Sequence, residues 1–379
     1  MSGAADAVHR RHDPLLDEWV LVSPHRGRRP WQGQQDAPEA ERPAFDAHCH
    51  LCPGNTRAGG PRNPDYDDVF VFDNDYPALL GDVSLEQPDA APGSGTALLR
   101  SEAVHGRCRV LCFSPRHDLS LAELDDAGRG RVIDAWIRET RELGRDWRWV
   151  QCFENRGAMM GCSSPHPHGQ IWALDALPTL AATELRTQRA WADAHGRRLL
   201  LDVLAAELVD PVRVVVEDSH WVVLVPFWAR WPFETLILPR APCPALTDLD
   251  GAQAASLARV LGELLCAYDN LFRCDFPYSL GWHGAPCDAD SAVRAAWQLH
   301  GHCYPPLLRS ATVRKFMVGF ELLAEAQRDL APEDAAARLR AARGPHWRGR
   351  DRQQRRLDEN DGQHPDGVTV DVDPTKREA

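Results

Sequence analysis

Lysine is almost missing from this chain: of its 43 basic residues only Lys315 and Lys376 are not arginine. Where guanidinium has replaced ammonium nearly everywhere, a lysine kept inside a folded segment is a candidate for a site that needs an ammonium. Lys315 lies in such a segment, whereas Lys376 lies in a polar tail. Long apolar runs are missing too, although apolar residues make up 44% of the chain, so a globular protein with no membrane span is expected. The opening MSGAADAVHRRHDPLLDEW lacks the apolar core of an export signal. The eleven cysteines are odd in number and follow no framework spacing, which fits reduced thiols and a cytoplasmic location. Positive charge is in deficit, and a net charge of −12 argues against nucleic acid as a general partner. At 379 residues the chain can bury a large core, and its length points to two domains.

Strand and helix patterns recur in the same order in two halves. In the first, Trp19 to Val22, DVFVFDNDYPAL and GRCRVLCF read as strands, Ala122 to Leu143 as a helix, and WRWVQCFENRG as the next strand. A helical stretch from Thr183 to Val209 leads into a second series of strands, a helix from Gly251 to Leu271, and the strands PYSLGWHGAP and WQLHGHCYPP. Each series ends in a His-x-His pair, 166/168 and 300/302, and a duplicated α+β unit would make the pairs equivalent. The boundaries predicted are 1–185 for the first half, 186–345 for the second and 346–379 for a disordered tail, with too few apolar residues to bury anything.

The stretch GCSSPHPHGQIW, Gly161 to Trp172, carries the strongest chemical signal. Pro165 and Pro167 exclude a helix and bias the residues before them to extended geometry, so His166, His168 and Gln170 share one face. A neutral imidazole attacks phosphorus readily and leaves well, which makes His168 a candidate nucleophile. Asn155, Ser163 and Gln170 would surround it with neutral donors for phosphoryl oxygens. Cys49 and Cys52, in CHLC, have metal-ligand spacing but no second C-x-x-C exists, so further ligands would be lone residues such as His117 and His166; free thiols are the competing reading. Glu184, His283, His300 and His302 offer a second set without thiolate, with core hydrogen bonding as the alternative. Arg26, Arg28 and Arg29 form a cation cluster suited to phosphate or simply to solvent. From Arg309 to Leu330 a basic strand is expected to pass into a helix, placing Lys315, Glu321 and Gln327 among apolar residues.

Taken together, NRGAMMGCSSPHPHGQIWA closely resembles the active-site signature of the galactose-1-phosphate uridylyltransferase family, within the histidine-triad superfamily. The likeness extends in order through WVLVSPHRGRRPWQGQ, CPGNTRAGGPRNPDYDDVFVFDNDYPAL, PFWARWPFETLILPRA, YDNLFRCDFPYSLGWHGAP and WQLHGHCYPPLLRSATVRKFMVGFELLAEAQRDL, roughly from His12 to Leu330. The resemblance implies two pseudo-repeated histidine-triad-like halves, each a mainly antiparallel sheet with helices. It implies uridylyl transfer between UDP-glucose and galactose 1-phosphate by double displacement on His168. Uridine-diphosphate contacts would fall on Arg26, Arg29, Asn74, Asn155, Ser163 and Gln170. Hexose-phosphate contacts, given by the other subunit of a homodimer with shared active sites, would fall on Lys315, Phe316, Val318, Phe320, Glu321 and Gln327. Zinc would be held by Cys49, Cys52, His117 and His166, and a second metal, Fe2+ or Zn2+, by Glu184, His283, His300 and His302. Phe320 departs from the pattern, which has tyrosine there. Gln170 also differs from the third histidine of hydrolytic relatives; an amide donates to a phosphoryl oxygen but shuttles no proton, which favours transfer over hydrolysis. The rival readings are a related nucleotidyltransferase or phosphorylase acting on another nucleotide sugar, and a zinc-stabilised binding module without catalysis.

Overall fold

In the computed structural model, residues 7–28, 42–81, 98–99 and 101–351 are described. Chain order begins with β1 (His9–Asp13), β2 (Glu18–Val22), β3 (Phe70–Asp73), β4 (Gly106–Cys112), α1 (Asp126–Leu143), β5 (Trp149–Arg156) and β6 (His168–Leu174). It continues through α2 (Thr179–His195), α3 (Leu199–Val209), β7 (Val214–Glu217), β8 (Trp221–Leu224), β9 (Thr235–Pro239), α4 (Gly251–Phe272), β10 (Tyr278–His283), α5 (Ser291–Ala296) and β11 (His300–Tyr304). The last elements are β12 (Leu307–Ser310), β13 (Val313–Arg314), α6 (Phe320–Leu323), β14 (Ala326–Arg328) and α7 (Pro332–Ala341). The chain is α+β, as expected.

Local chemistry explains the main boundaries. Asp125 caps α1 by accepting from the Gly128 amide, and Asp250 with Gln253 forms a reciprocal capping box on α4. The helical stretch predicted from Thr183 to Val209 consists of two helices, because Gly196 ends α2 in the left-handed region at φ +67. The expected division at 185 therefore cuts through α2.

Both halves contribute to one antiparallel sheet of nine strands, in the order β3-β4-β6-β5-β10-β11-β9-β8-β7. The join is β5 against β10, with Cys152 opposite Trp282 and Arg156 opposite Tyr278. Reading outward from it, β5, β6, β4, β3 on one side match β10, β11, β9, β8 on the other, and α1 packs against α4 in one core. Duplication thus appears as a palindrome of strands. Along β5 and β6, Val150, Cys152, Ile171 and Ala173 enter that core. Period-two alternation sends Phe153, Asn155, His168, Gln170 and Trp172 to the opposite face.

Three expectations are corrected. The histidine pairs are offset by two: His168 begins β6 as His300 begins β11, and in both the Nδ1 atom lies 2.8 Å from the carbonyl two residues back. His166 therefore corresponds to Gln298, whose amide is satisfied by the Cys243 amide, Arg198 and the Pro239 and Ala241 carbonyls. From Arg309 to Leu330 there is a hairpin, a single helical turn and then β14, parallel to β2, where a strand passing into a helix was expected. Gly319, at φ +56, interrupts that segment. Finally, 346–351 is not tail: His346 bonds Asp269 at 2.9 Å, Arg348 meets Asp275 at 2.8 Å, and 347–351 is helical. Polar contacts hold it, which an apolar count misses; 352–379 lie outside the described residues.

Candidate active site and two metal-ligating clusters

The C-x-x-C turn before β3 is built by side-chain amides. Asn55 donates to the carbonyls of Asp46 and Cys49, Asn63 to those of His50 and Cys52, and the Leu51 amide donates to Cys49 Sγ at 3.3 Å. This brings Cys49 and Cys52 to His117, after β4, and His166, before β6, with one ligand atom from each residue within 4.8 Å of the others. All four are buried. Cys52 Sγ lies 3.6 Å from His117 Nδ1 and 3.5 Å from His166 Nδ1. The opposite nitrogen of His166, Nε2, donates to the Ser114 carbonyl at 3.0 Å, which fixes the tautomer with Nδ1 as the free lone pair. Burial pushes His166 down to about 4 and the Cys52 thiol up to about 11, so a cation is what would hold Cys52 as thiolate. Two thiols and two imidazoles with converging lone pairs could hold a metal ion.

The second cluster lies across the sheet join. Glu184 reaches from α2 to His283 on β10 and to His300 and His302 on β11, again within 4.8 Å. His283 Nδ1 is 2.9 Å from both Glu184 oxygens, and the buried Nε2 atoms of His300 and His302 face the same carboxylate at 3.4 and 3.8 Å without a hydrogen bond. Burial opposes ionisation of Glu184, yet the surrounding imidazoles hold its carboxyl well below the usual range. Imidazole nitrogens that converge on a carboxylate without hydrogen-bonding it fit a cation. The structure thus brings together both ligand sets expected from the sequence.

His168 opens β6, two residues after His166. Its Nδ1–H donates to the His166 carbonyl, leaving Nε2 without a partner among the described residues. Burial lowers its pKa, so the ring is neutral near pH 7. The residue lines two cavities. One, of about 450 Å³, includes Asn155 and Ser163; the other, of about 360 Å³, includes Asn74, Ser163 and Gln170. Ser279 Oγ donates to Asn155 Oδ1 at 2.7 Å, and Trp172 Nε1–H donates to Gln170 Oε1 at 3.0 Å. A neutral imidazole ringed by amides and a hydroxyl could attack an anionic centre.

Other expected residues stand apart. Lys315, Phe316, Val318, Phe320, Glu321 and Gln327 line neither cavity, and Lys315 Nζ instead meets Glu321 Oε1 at 2.6 Å. Arg26 also lines neither; its Nε lies 3.2 Å from Asp329, which accepts from Gln327 as well. Arg29 lies outside the described residues. Conversely, Arg42, Glu154, Arg156 and Asp275 line the larger cavity and were not anticipated. Arg42 donates to the Pro165 carbonyl and to Asp275, and Arg156 to Asp269 and Asp275. The signal available was Glu-Asn-Arg at the end of an otherwise apolar strand.

Residues 2–178 match the family described as "Galactose-1-phosphate uridyl transferase, N-terminal domain", and residues 184–351 match its C-terminal domain. The chain belongs to the galactose-1-phosphate uridylyltransferase family. It is 51% identical to the galactose-1-phosphate uridylyltransferase of Haemophilus influenzae over 90% of this chain and 96% of that one. The Rattus norvegicus enzyme is likewise 51% identical, over 91% and 90%. A solved uridylyltransferase structure aligns with TM-score 0.69 at 28% identity, over 88% of this chain and 97% of that one. In fold alone, the chain also matches an ADP-glucose phosphorylase from Arabidopsis thaliana, TM-score 0.68 at 24% identity, over 88% and 99%. The protein is therefore an enzyme, and among the described residues no helix is long and apolar enough to cross a membrane.

Proposed function

We propose that the protein transfers a uridylyl group between UDP-glucose and galactose 1-phosphate, giving UDP-galactose and glucose 1-phosphate, through a uridylyl-His168 intermediate. The observation that carries this reading is the His168 tautomer: Nδ1–H is committed to the His166 carbonyl, so the lone pair is on Nε2. Nε2 attacks the α-phosphorus, the bond to the bridging oxygen breaks, and glucose 1-phosphate leaves with the electron pair. A phosphate oxygen of galactose 1-phosphate then attacks the same phosphorus, and the P–N pair returns to Nε2. Neither step needs a proton shuttle, because both leaving and entering oxygens belong to phosphate; Gln170 suits such a reaction. The amides of Asn155 and Gln170 and the hydroxyl of Ser163 offer donors for the charge on the phosphoryl oxygens. Asn74 lines the smaller cavity, which would take the nucleoside end.

Cys49, Cys52, His117 and His166 suit zinc, and Glu184, His283, His300 and His302 suit Fe2+ or Zn2+. Zinc would supply rigidity to the ring of His166, whose own carbonyl orients His168. Lys315, Phe316, Val318, Phe320, Glu321 and Gln327 would reach the hexose phosphate from the second subunit of a homodimer, and Arg26, sharing Asp329 with Gln327, belongs with them.

The test is intact-mass measurement after brief exposure to UDP-glucose, with ADP-glucose and GDP-mannose in parallel. A uridylyl adduct is expected from UDP-glucose, discharged by galactose 1-phosphate and missing in His168→Ala, with parallel initial-rate lines. Intersecting lines without an adduct would exclude the double displacement, and a preferred adduct from another nucleotide would reassign the substrate.

A further inference from the structure

A primary amide can face a phosphoryl oxygen in two ways, and only one is useful. Presented by its NH2 group, Gln170 donates to the oxygen; flipped, it points a carbonyl at an anion. The neighbours on its face of the sheet decide between them. Across the strands lie Val110 and Phe153, both apolar. Along β6, two residues away on each side, lie His168, whose Nδ1 is committed to a backbone carbonyl, and Trp172. The Trp172 indole is a donor only, and its Nε1–H meets the Gln170 side-chain oxygen at 3.0 Å. No acceptor is available at that point for the NH2 group, which leaves Gln170 Nε2 without a partner among the described residues and on the cavity shared with His168. The indole itself is held edge-on against Phe153, ring centroids 5.6 Å apart at 77°.

We propose that Trp172 is a positioning residue: its indole N–H ties down the carbonyl end of Gln170 and so aims the amide NH2 at the phosphoryl group undergoing transfer. The inference rests on the uridylyl-transfer reading above. An amide without this tie is free to rotate, and its carbonyl then spends part of the time facing the anion. The effect belongs to the step in which charge develops, so it falls on kcat more than on KM.

The test compares Trp172→Phe, which keeps an aromatic ring for Phe153 but has no N–H, with Gln170→Ala and the double variant. Trp172→Phe is expected to slow the UDP-glucose half-reaction by about tenfold with KM changed by less than about twofold, part of the ~10²–10³ that one such donor can supply. In the Gln170→Ala background the same substitution is expected to cost nothing more. Independently of activity, the Trp172 indole N–H resonance, assigned by its loss in Trp172→Phe, should move in Gln170→Ala. An unchanged kcat in Trp172→Phe, an equal loss in both backgrounds, or an unmoved indole resonance would each overturn the proposal. Failure of the underlying reading would show differently, as a wild-type enzyme that forms no adduct at His168.

Discussion

Glu154 lines the larger cavity yet is almost wholly buried, its Oε2 accepting from the Tyr278 hydroxyl at 3.0 Å. Burial lifts its pKa from 4.5 to about 7, against the pull of Arg156 and that hydrogen bond, and with Asp269 adding to the rise. The sign follows from linkage: a carboxyl whose folded pKa is raised stabilises the fold in its protonated form, fully below pH 4.5, and loses that contribution as pH rises to about 7. Glu154→Gln keeps an acceptor for Tyr278 and cannot ionise. It is expected to exceed the wild type in stability by ~1–3 kcal/mol at pH 8, the gain vanishing toward pH 5, as urea unfolding at both pH values would show. A less stable variant at pH 8 would mean that Arg156 over-compensates the buried charge. The close spacing of Cys49 with Cys52 and of His300 with His302 made them legible as candidate ligands, whereas His117, Glu184 and His283 are lone residues that only the fold brings beside them. Glu154, Arg42 and Asp275 were not, since a buried carboxylate and its guanidinium read as surface charge until the fold brings them together.

At the scale of elements, strands and the two long helices followed from periodicity and capping, and they are the parts whose faces are one-sided. The segment after β12 misled because Phe320 to Ala326 has helical spacing, while Gly319 and the pairing of β14 with β2 limit the helix to one turn. Tertiary pairing there outweighs a local preference. The offset of the histidine pairs was invisible for a different reason: two His-x-His motifs look alike, and only the shared bond from Nδ1 to the carbonyl two residues back sets the register. The contact of α1 with α4 gives a further check. A Cβ on Gly262 of α4 would sit 2.5 Å from the Arg129 guanidinium of α1. That group is buried and donates to the carbonyls of Ala258, Leu121 and Leu124 and to Asp126. Helix propensity alone would make Gly262→Ala stabilising by ~1 kcal/mol. Displacing a guanidinium that satisfies three carbonyls costs more, so a net loss of ~1–3 kcal/mol is expected in chemical denaturation. A gain would show that Arg129 finds equivalent partners after moving.

At the scale of the whole molecule, the two groups of expected substrate residues lie apart in a single chain. His168 and its amides occupy the open face of the shared sheet, whereas Lys315 and Glu321 pair with each other away from both cavities. Around that pair, Phe316, Val318, Phe320, Leu322 and Leu323 are all exposed, the last at 88%. Such a run of apolar surface on a hairpin and one helical turn fits burial against another copy. A two-fold dimer that exchanges these segments would deliver each chain's lysine to the other's histidine. The arrangement predicts complementation between two inactive chains. His168→Ala and Lys315→Ala, each inactive alone, are co-expressed with different affinity tags and the doubly tagged species is isolated. In that species one site carries both defects and the other neither, so about half of the wild-type activity per dimer is expected; a random mixture of subunits would show about one quarter. If Lys315 acts on the histidine of its own chain, every site carries one defect and the doubly tagged dimer stays inactive.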